Sequence, residues 1–274
     1  RTVLSVSGEL YDGNGYWLDK DNSYAEVFDY DYDFQDISYR ASSIYTRKLN
    51  AQHTFKVGGI LSLKTFDFFT RERDDDTEEL VTYLQGRGDA TQFQAFAQWR
   101  YRMMEDLTLT GGFHVNYFSL NGQFSVEPRM AARWQVSDRH RINLAAGLHS
   151  KPENPVFYYV GGESTTGIPE TPNIDLKYMR TVHTVLGYEV RLRPDLRINL
   201  EAYYQYLFDV PVPKDPTDNG SMLNVLSVWD AIYAGPAVND GVGYNVGVDI
   251  TVEKSYSRNY YMLFTGSIFD SRYR

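Results

Sequence analysis

The chain alternates between apolar and polar residues over most of its length, and helical periodicity is nearly absent. Between Gln92 and Met103 one parity reads Phe93, Ala95, Ala97, Trp99, Tyr101, Met103. The other reads Gln92, Gln94, Phe96, Gln98, Arg100, Arg102. Successive side chains of a strand point to opposite faces, so this segment predicts a strand with one apolar and one charged face. The same reading holds for Leu107–Tyr117, Val126–Val136, Ile142–Leu148, Leu186–Leu192, Leu196–Tyr206 and Val242–Val252. Tight turns are predicted at 50–52, 105–106, 137–140, 194–195 and 255–258. Longer connections are expected near 12–36, 70–90, 119–123, 150–177 and 209–240. Alternation of short and mostly long connections is the asymmetry of outer-membrane barrels, with periplasmic turns and extracellular loops. About eleven strands are expected, giving an all-β, antiparallel transmembrane barrel segment.

Composition sharpens this picture. Aromatic residues make up 15%, with 23 tyrosines, yet mean hydropathy is −0.45. Disordered chains are poor in aromatics. No run of 18 apolar residues occurs, so no transmembrane helix is expected, but a spanning strand needs only ~9–11 residues with every second one apolar. Rings cluster near strand ends, Trp99, Tyr101 and Trp134 at the turns and Tyr117, Tyr204 and Tyr206 at the loops, as interfacial girdles do. The net charge of −9 and the lack of a basic stripe argue against nucleic acid. Zero cysteine excludes disulfides and thiolate metal sites.

Charges fix the expected facing. A charged side chain at the bilayer midplane costs ~2–4 kcal/mol. Arg100, Arg129, Arg133, Glu189, Arg191 and Glu201 are therefore expected to face a hydrated lumen. Single-chain bacterial barrels are generally even-stranded, so an odd count, with strand-like sequence at both termini, predicts part of a larger barrel. Residues 1–274 then form part of one barrel domain.

No catalytic constellation stands out. His53, His114, His140, His149 and His183 form no closely spaced ligand pair, and those on the polar parity read as lumen hydrogen-bonding groups. No cofactor, metal or catalytic residue is expected, and the chain reads as a non-enzyme. A lipase- or protease-type barrel would need a triad that is not apparent. Asp29–Asp33 alternates carboxylates with rings, and 74–79 is an acidic run. Both read first as solvated loops, with cation capture as the functional alternative. Tyr30, Tyr32, Phe157, Tyr158, Tyr159 and Trp229 are candidate cargo contacts. Packing of the same rings against the barrel rim is the alternative.

Residues 124–160, FSVEPRMAARWQVSDRHRINLAAGLHSKPENPVFYYV, are followed by NIDLKYMRTVHTVLGYEVRLRPDLRINLEAYYQYLFDVPV at 173–212. SMLN then stands at 221–224 and NVGVDITVEKSYSRNYYMLFTGSIFDSRYR at 245–274. This succession resembles the C-terminal half of the barrel in TonB-dependent receptors of Bacteroidota, particularly those with a carboxypeptidase-regulatory-like domain before the plug. The likeness covers about residue 55 onward and is strongest over 124–274. It implies a 22-stranded barrel in the outer membrane, an N-terminal plug outside this sequence, TonB as energy-coupling partner, and sometimes a surface lipoprotein. It implies active uptake of a bulky nutrient: siderophore, glycan, peptide or cobalamin. A passive porin or a structural barrel within a larger assembly is the alternative.

Overall fold

The computed structural model describes residues 1–74, 77–160, 171–215, 217, 220–224 and 235–274. Eleven strands follow one another: β1 (Thr2–Asp19), β2 (Ala25–Lys48), β3 (His53–Arg73), β4 (Leu80–Arg102), β5 (Leu107–Phe118), β6 (Gln123–Gln135), β7 (His140–Lys151), β8 (Met179–Arg193), β9 (Leu196–Pro213), β10 (Ala237–Ser257) and β11 (Tyr260–Tyr273). Among the described residues, a short helix, α1 (Pro155–Tyr159), lies between β7 and β8, and a 3-10 turn (Met222–Asn224) between β9 and β10. The strands form one sheet in sequence order, every neighbour antiparallel. The eleven-strand, all-β expectation is met.

Registers confirm the parity reading. Arg100 pairs with Thr110, Thr110 with Ala131, Ala131 with Ala145, Ala145 with Val185, and Val185 with Tyr203. Partners in register share a face, so Arg100, Arg129, Arg133, Glu189, Arg191 and Glu201 all stand on one face. That face also carries the packed segment between β7 and β8, and is termed inner. On the outer face stand Phe113, Met130, Leu186 and Val248, each more than half exposed. On β3 the apolar outer positions run from Phe55 to Leu63, and on β10 from Tyr244 to Val252. At ~3.3 Å per residue each run is ~26 Å tall, close to the ~25 Å apolar band of outer-membrane barrels.

Rings edge this band. Near the short turns His53 stacks on Tyr101 at 4.8 Å, and Trp99 donates its indole N–H to His53 Nδ1 at 3.1 Å. Trp134 donates to Asp106 at 3.3 Å, and Tyr188 Oη lies 2.7 Å from His140 Nδ1. At the other edge Tyr204 stacks on Tyr244 and Tyr206 on Phe208. An apolar ring with a bonded polar tip suits a membrane interface.

Two expected loops are corrected. The segments 12–36 and 70–90 are largely paired strand, so that only residues 20–24 separate β1 from β2 and only 74–79 separate β3 from β4. β2 has 24 residues and β4 has 23, about twice the ~9–11 that cross a bilayer. The hairpins at this end therefore continue as ladders well past the apolar band. Glycine- and aspartate-rich sequence suggested loop, but tyrosine and phenylalanine on alternate positions keep the strand pattern. The last tight turn also sits later than expected. β10 reaches Ser257, and Arg258 and Asn259 turn with φ of 52° and 70°, the left-handed pair of a two-residue hairpin.

β1 and β11 each pair on one side only. With eleven strands they also run in the same direction. Joining these two edges would make a parallel junction, whereas an odd number of intervening strands closes the wall antiparallel throughout.

A facing test follows from neighbours on β10. Val248→Arg should lower folding stability in bilayers by ~2–4 kcal/mol, and Asp249→Arg by clearly less. Equal losses in a urea folding titration of the full-length protein would contradict the assignment of faces.

Candidate functional site

Residues 152–160 and 171–178, between β7 and β8, fold back over the inner face as a cap. The Asn154 side chain accepts from the amide of Val156 at 3.1 Å, and Pro155 opens the helical turn. This turn seats Tyr158 and Val156 fully out of solvent, with Phe157, Val160, Leu176 and Tyr178 also buried. They pack against Phe34, Phe66, Phe68, Leu84 and Phe118 from the inner faces of β2 to β5. Ring contacts tie the cluster: Phe66 to Phe68 at 5.2 Å, Phe66 to Tyr159 at 5.5 Å and Phe118 to Tyr158 at 6.0 Å.

Polar pins hold the cap. The Asn173 amide donates to Val160 O at 3.0 Å and Gly235 O at 3.1 Å, and its carbonyl accepts from Ala237 N at 2.8 Å. It thereby joins the two longest connections of the chain. Asn121 donates to Leu176 O, and Tyr178 Oη to Gln123 O. Asn239 accepts from the amide of Lys177 and donates to Asp209 O. Sequence reasoning missed these asparagines because each acts through backbone groups of other segments, which have no period to read.

Burial perturbs two cap groups. The Tyr158 hydroxyl, which accepts from Glu153 N at 3.2 Å, is pushed up to about 12 by burial. Burial also raises the Glu153 carboxyl, with Lys151 opposing, and Glu153 Oε1 has no hydrogen-bond partner among the described residues.

Below the cap the inner face carries linked charges. Glu127, 1% exposed, accepts from Arg129 at 2.6 Å and from Ser150 at 2.6 Å, and lies 3.1 Å from His114 Nδ1. Arg141 meets both oxygens of Glu189 at 3.1 and 3.0 Å, and Arg191 approaches Glu189 at 3.5 Å. Arg197 binds Glu253. Among the described residues no ion pair reaches Arg100, Arg133 or Glu201. Glu201 and Asp249 are register partners in a hollow of about 570 Å³, also lined by His183, Tyr203, Gln205 and Asn245. His149 and His183 stand 6.4 Å apart. No group of three or more His, Asp or Glu among the described residues is arranged to hold a metal.

The candidate cargo rings divide in three. Phe157 and Tyr158 lie inside the cap core and present almost no surface. Tyr159 is partly buried at the edge of that core, and Tyr32 likewise packs against it. Tyr30 is 38% exposed. Trp229 lies outside the described residues. In the acidic run, Asp74 Oδ1 accepts from the amide and hydroxyl of Thr77, both at 2.8 Å, so this carboxylate closes a turn. Asp75 and Asp76 lie outside the described residues.

The family described as TonB dependent receptor-like, beta-barrel matches residues 3–273. The chain belongs to this family. Its members are outer-membrane β-barrel transporters, not enzymes. No curated protein matches the sequence significantly. Among solved structures, the outer membrane transporter YddB of Escherichia coli superposes with a TM-score of 0.60 at 11% identity, over 88% of this chain and 34% of that one. The ferric yersiniabactin uptake receptor FyuA of Yersinia pestis gives 0.64 at 10% identity, over 100% and 40%. The RagAB peptide transporter gives 0.59 at 11%, over 99% and 34%. The chain thus spans about a third to two fifths of these relatives, which establish its fold.

Two outcomes test the cap. Tyr158→Ala should remove ~3–5 kcal/mol of packing, read as faster hydrogen exchange at residues 155–160 with the sheet amides unchanged. Because docking favours neutral Glu153, it is strongest below the carboxyl's unfolded pKa and weakens as pH rises through the raised one. Glu153→Gln should flatten that dependence. A pH profile identical in the variant would assign it to another group.

Proposed function

We propose that this chain is part of the wall of an outer-membrane receptor that takes up a bulky nutrient actively, with the family's energy-coupling protein TonB as partner. Residues 1–274 contribute to a single barrel domain, completed by further strands and a plug outside this sequence. The observation that carries the reading is the cap. Its core of buried rings covers the inner face at the end with the long connections, as suits a gated receptor rather than an open pore. The linked charges below, Glu127–Arg129–His114 and Arg141–Glu189–Arg191, suit a hydrated lumen. Arg100, Arg129, Arg133, Glu189, Arg191 and Glu201 are the proposed lumen-facing groups.

Outer-membrane location, lipid contact along the outer face and a Bacteroidota source belong to the same proposal. Tyr30, Tyr32 and Tyr159 are the cargo contacts it favours among the described rings. Phe157 and Tyr158 would take that role only with the cap undocked. A surface lipoprotein is a further candidate partner. Related structures bear the names of a ferric yersiniabactin receptor and a peptide transporter, so siderophore, glycan, peptide and cobalamin remain candidate cargo classes.

Uptake measured in cells tests the reading. Labelled cargo should accumulate only with the receptor gene intact and the proton-motive force present. Accumulation that survives an uncoupler at the rate set by the outside concentration would identify a passive pore.

A further inference from the structure

The part of the β1–β2 hairpin nearest its turn is strongly acidic. Residues 9–36 hold nine carboxylates and one lysine, against a net charge of −9 for the whole chain. Carboxylates face one another directly across the strands, Glu9 opposite Asp36 on the inner face and Asp12 opposite Asp33 on the outer. Like charges in register destabilise a sheet. Among the described residues no ion pair relieves either couple. Among the described residues the one carboxylate ion pair this hairpin makes is Asp31 with Arg71 on β3.

Above Glu9 and Asp36 the inner face of the same hairpin is a ladder of rings. Its foot is Phe34, 3% exposed and stacked on Tyr11 at 5.0 Å. Tyr32 and Tyr30 continue it toward the turn, nearly parallel at 7° with centroids 6.1 Å apart. Each leans over a glycine of β1. A Cβ on Gly13 would lie 2.5 Å from Tyr32 Oη, and one on Gly15 would lie 2.2 Å from the Tyr30 ring. Any other residue would lift these rings from their seats. The ladder is thus rooted in the cap core and open at its top ring. Beside Tyr32, in register on β3, stands the Thr70 hydroxyl, 4% exposed and with no hydrogen-bond partner among the described residues.

We infer that this inner face is a subsite for a cationic group of the cargo, the guanidinium or ammonium of a basic peptide. The inference rests on the receptor reading above and narrows its cargo class. The negative face of a tyrosine ring attracts a cation. The buried Thr70 hydroxyl, in register with Tyr32, supplies an acceptor, and Glu9 and Asp36, ~13 Å along the strand from Tyr32 and ~20 Å from Tyr30, add only to the long-range field. Asp12 and Asp33 point away from the rings and act at a distance, steering cations inward within a Debye length of ~8 Å at physiological salt. The same field repels anionic metal chelates.

Titration of the full-length receptor in detergent with tetra-arginine, tetraglutamine and a neutral glucan oligosaccharide tests this. Tetra-arginine should bind with the highest affinity of the three, more weakly at higher salt. Tyr30→Leu should weaken it roughly tenfold, and Tyr30→Phe should retain it. Asp12→Asn with Asp33→Asn, and Asp36→Asn to a smaller extent, should chiefly slow association. No tetra-arginine binding, binding indifferent to Tyr30→Leu, or tighter binding of the neutral glucan would overturn the inference. Each of those results leaves the energised-uptake test untouched, since that test reads the motor and not the cargo.

Discussion

A strand in lipid has no water to satisfy its amides, so each backbone group must be paired with a neighbouring strand. Ten antiparallel ladders meet that requirement here, and they leave little freedom elsewhere. The side-chain period of two means that a one-residue slip would send a strand's apolar set to the inner face. Across β4–β10 the registers never permit this. Trp99, Gly111, Met130, Ala146, Thr184, Tyr204 and Val246 form one outer row, with their polar neighbours on the other side. The same pairing rule acts at the edges, where β1 and β11 run in one direction and each lacks a second neighbour. The further strands proposed above would satisfy these two edges by backbone hydrogen bonding.

The two faces then evolve different chemistry from one alternating sequence. Outside, apolar side chains need no partner but lipid, and interfacial rings bond their polar tips to His53, Asp106 or His140. Inside, part of the charge is compensated locally, by Glu127, Glu189 and Glu253 for their arginine neighbours. Toward the long connections the inner face changes again. Phe34, Phe66, Phe68, Leu84 and Phe118 replace charges, and the cap closes over them as an ordinary dry core. The transition from charged wall to aromatic core along single strands is what seats the cap.

Much of this was legible from residues alone, because membrane walls impose a strict period. The strand parity, the turn at Pro194–Asp195 and the shared face of Arg100, Arg133 and Glu201 all follow from alternation. The cap was not legible. Phe157, Tyr158 and Tyr159 drew attention as rings in a loop, but nothing local distinguishes a ring that meets cargo from one that fills a core. That depends on Phe66 and Leu84, some 70–90 residues earlier, being inward on neighbouring strands. Asn173 was equally hidden, since its three bonds go to backbone atoms of separate loops. The long hairpins were read as loops at Gly13, Gly15 and Asp29–Asp33. There cross-strand tyrosines over glycines sustain pairing, which a count of turn-forming residues overlooks.

The central claim is that the apolar parity faces lipid and the charged parity a hydrated interior. Single cysteines in the full-length protein, reconstituted in bilayers and labelled with lipid-soluble and water-soluble reagents, test it directly. Leu109, Leu200 and Val248 positions should label from lipid, and Arg133 and Glu201 positions from water only. The opposite pattern, or labelling of both sets from water, would contradict a membrane wall.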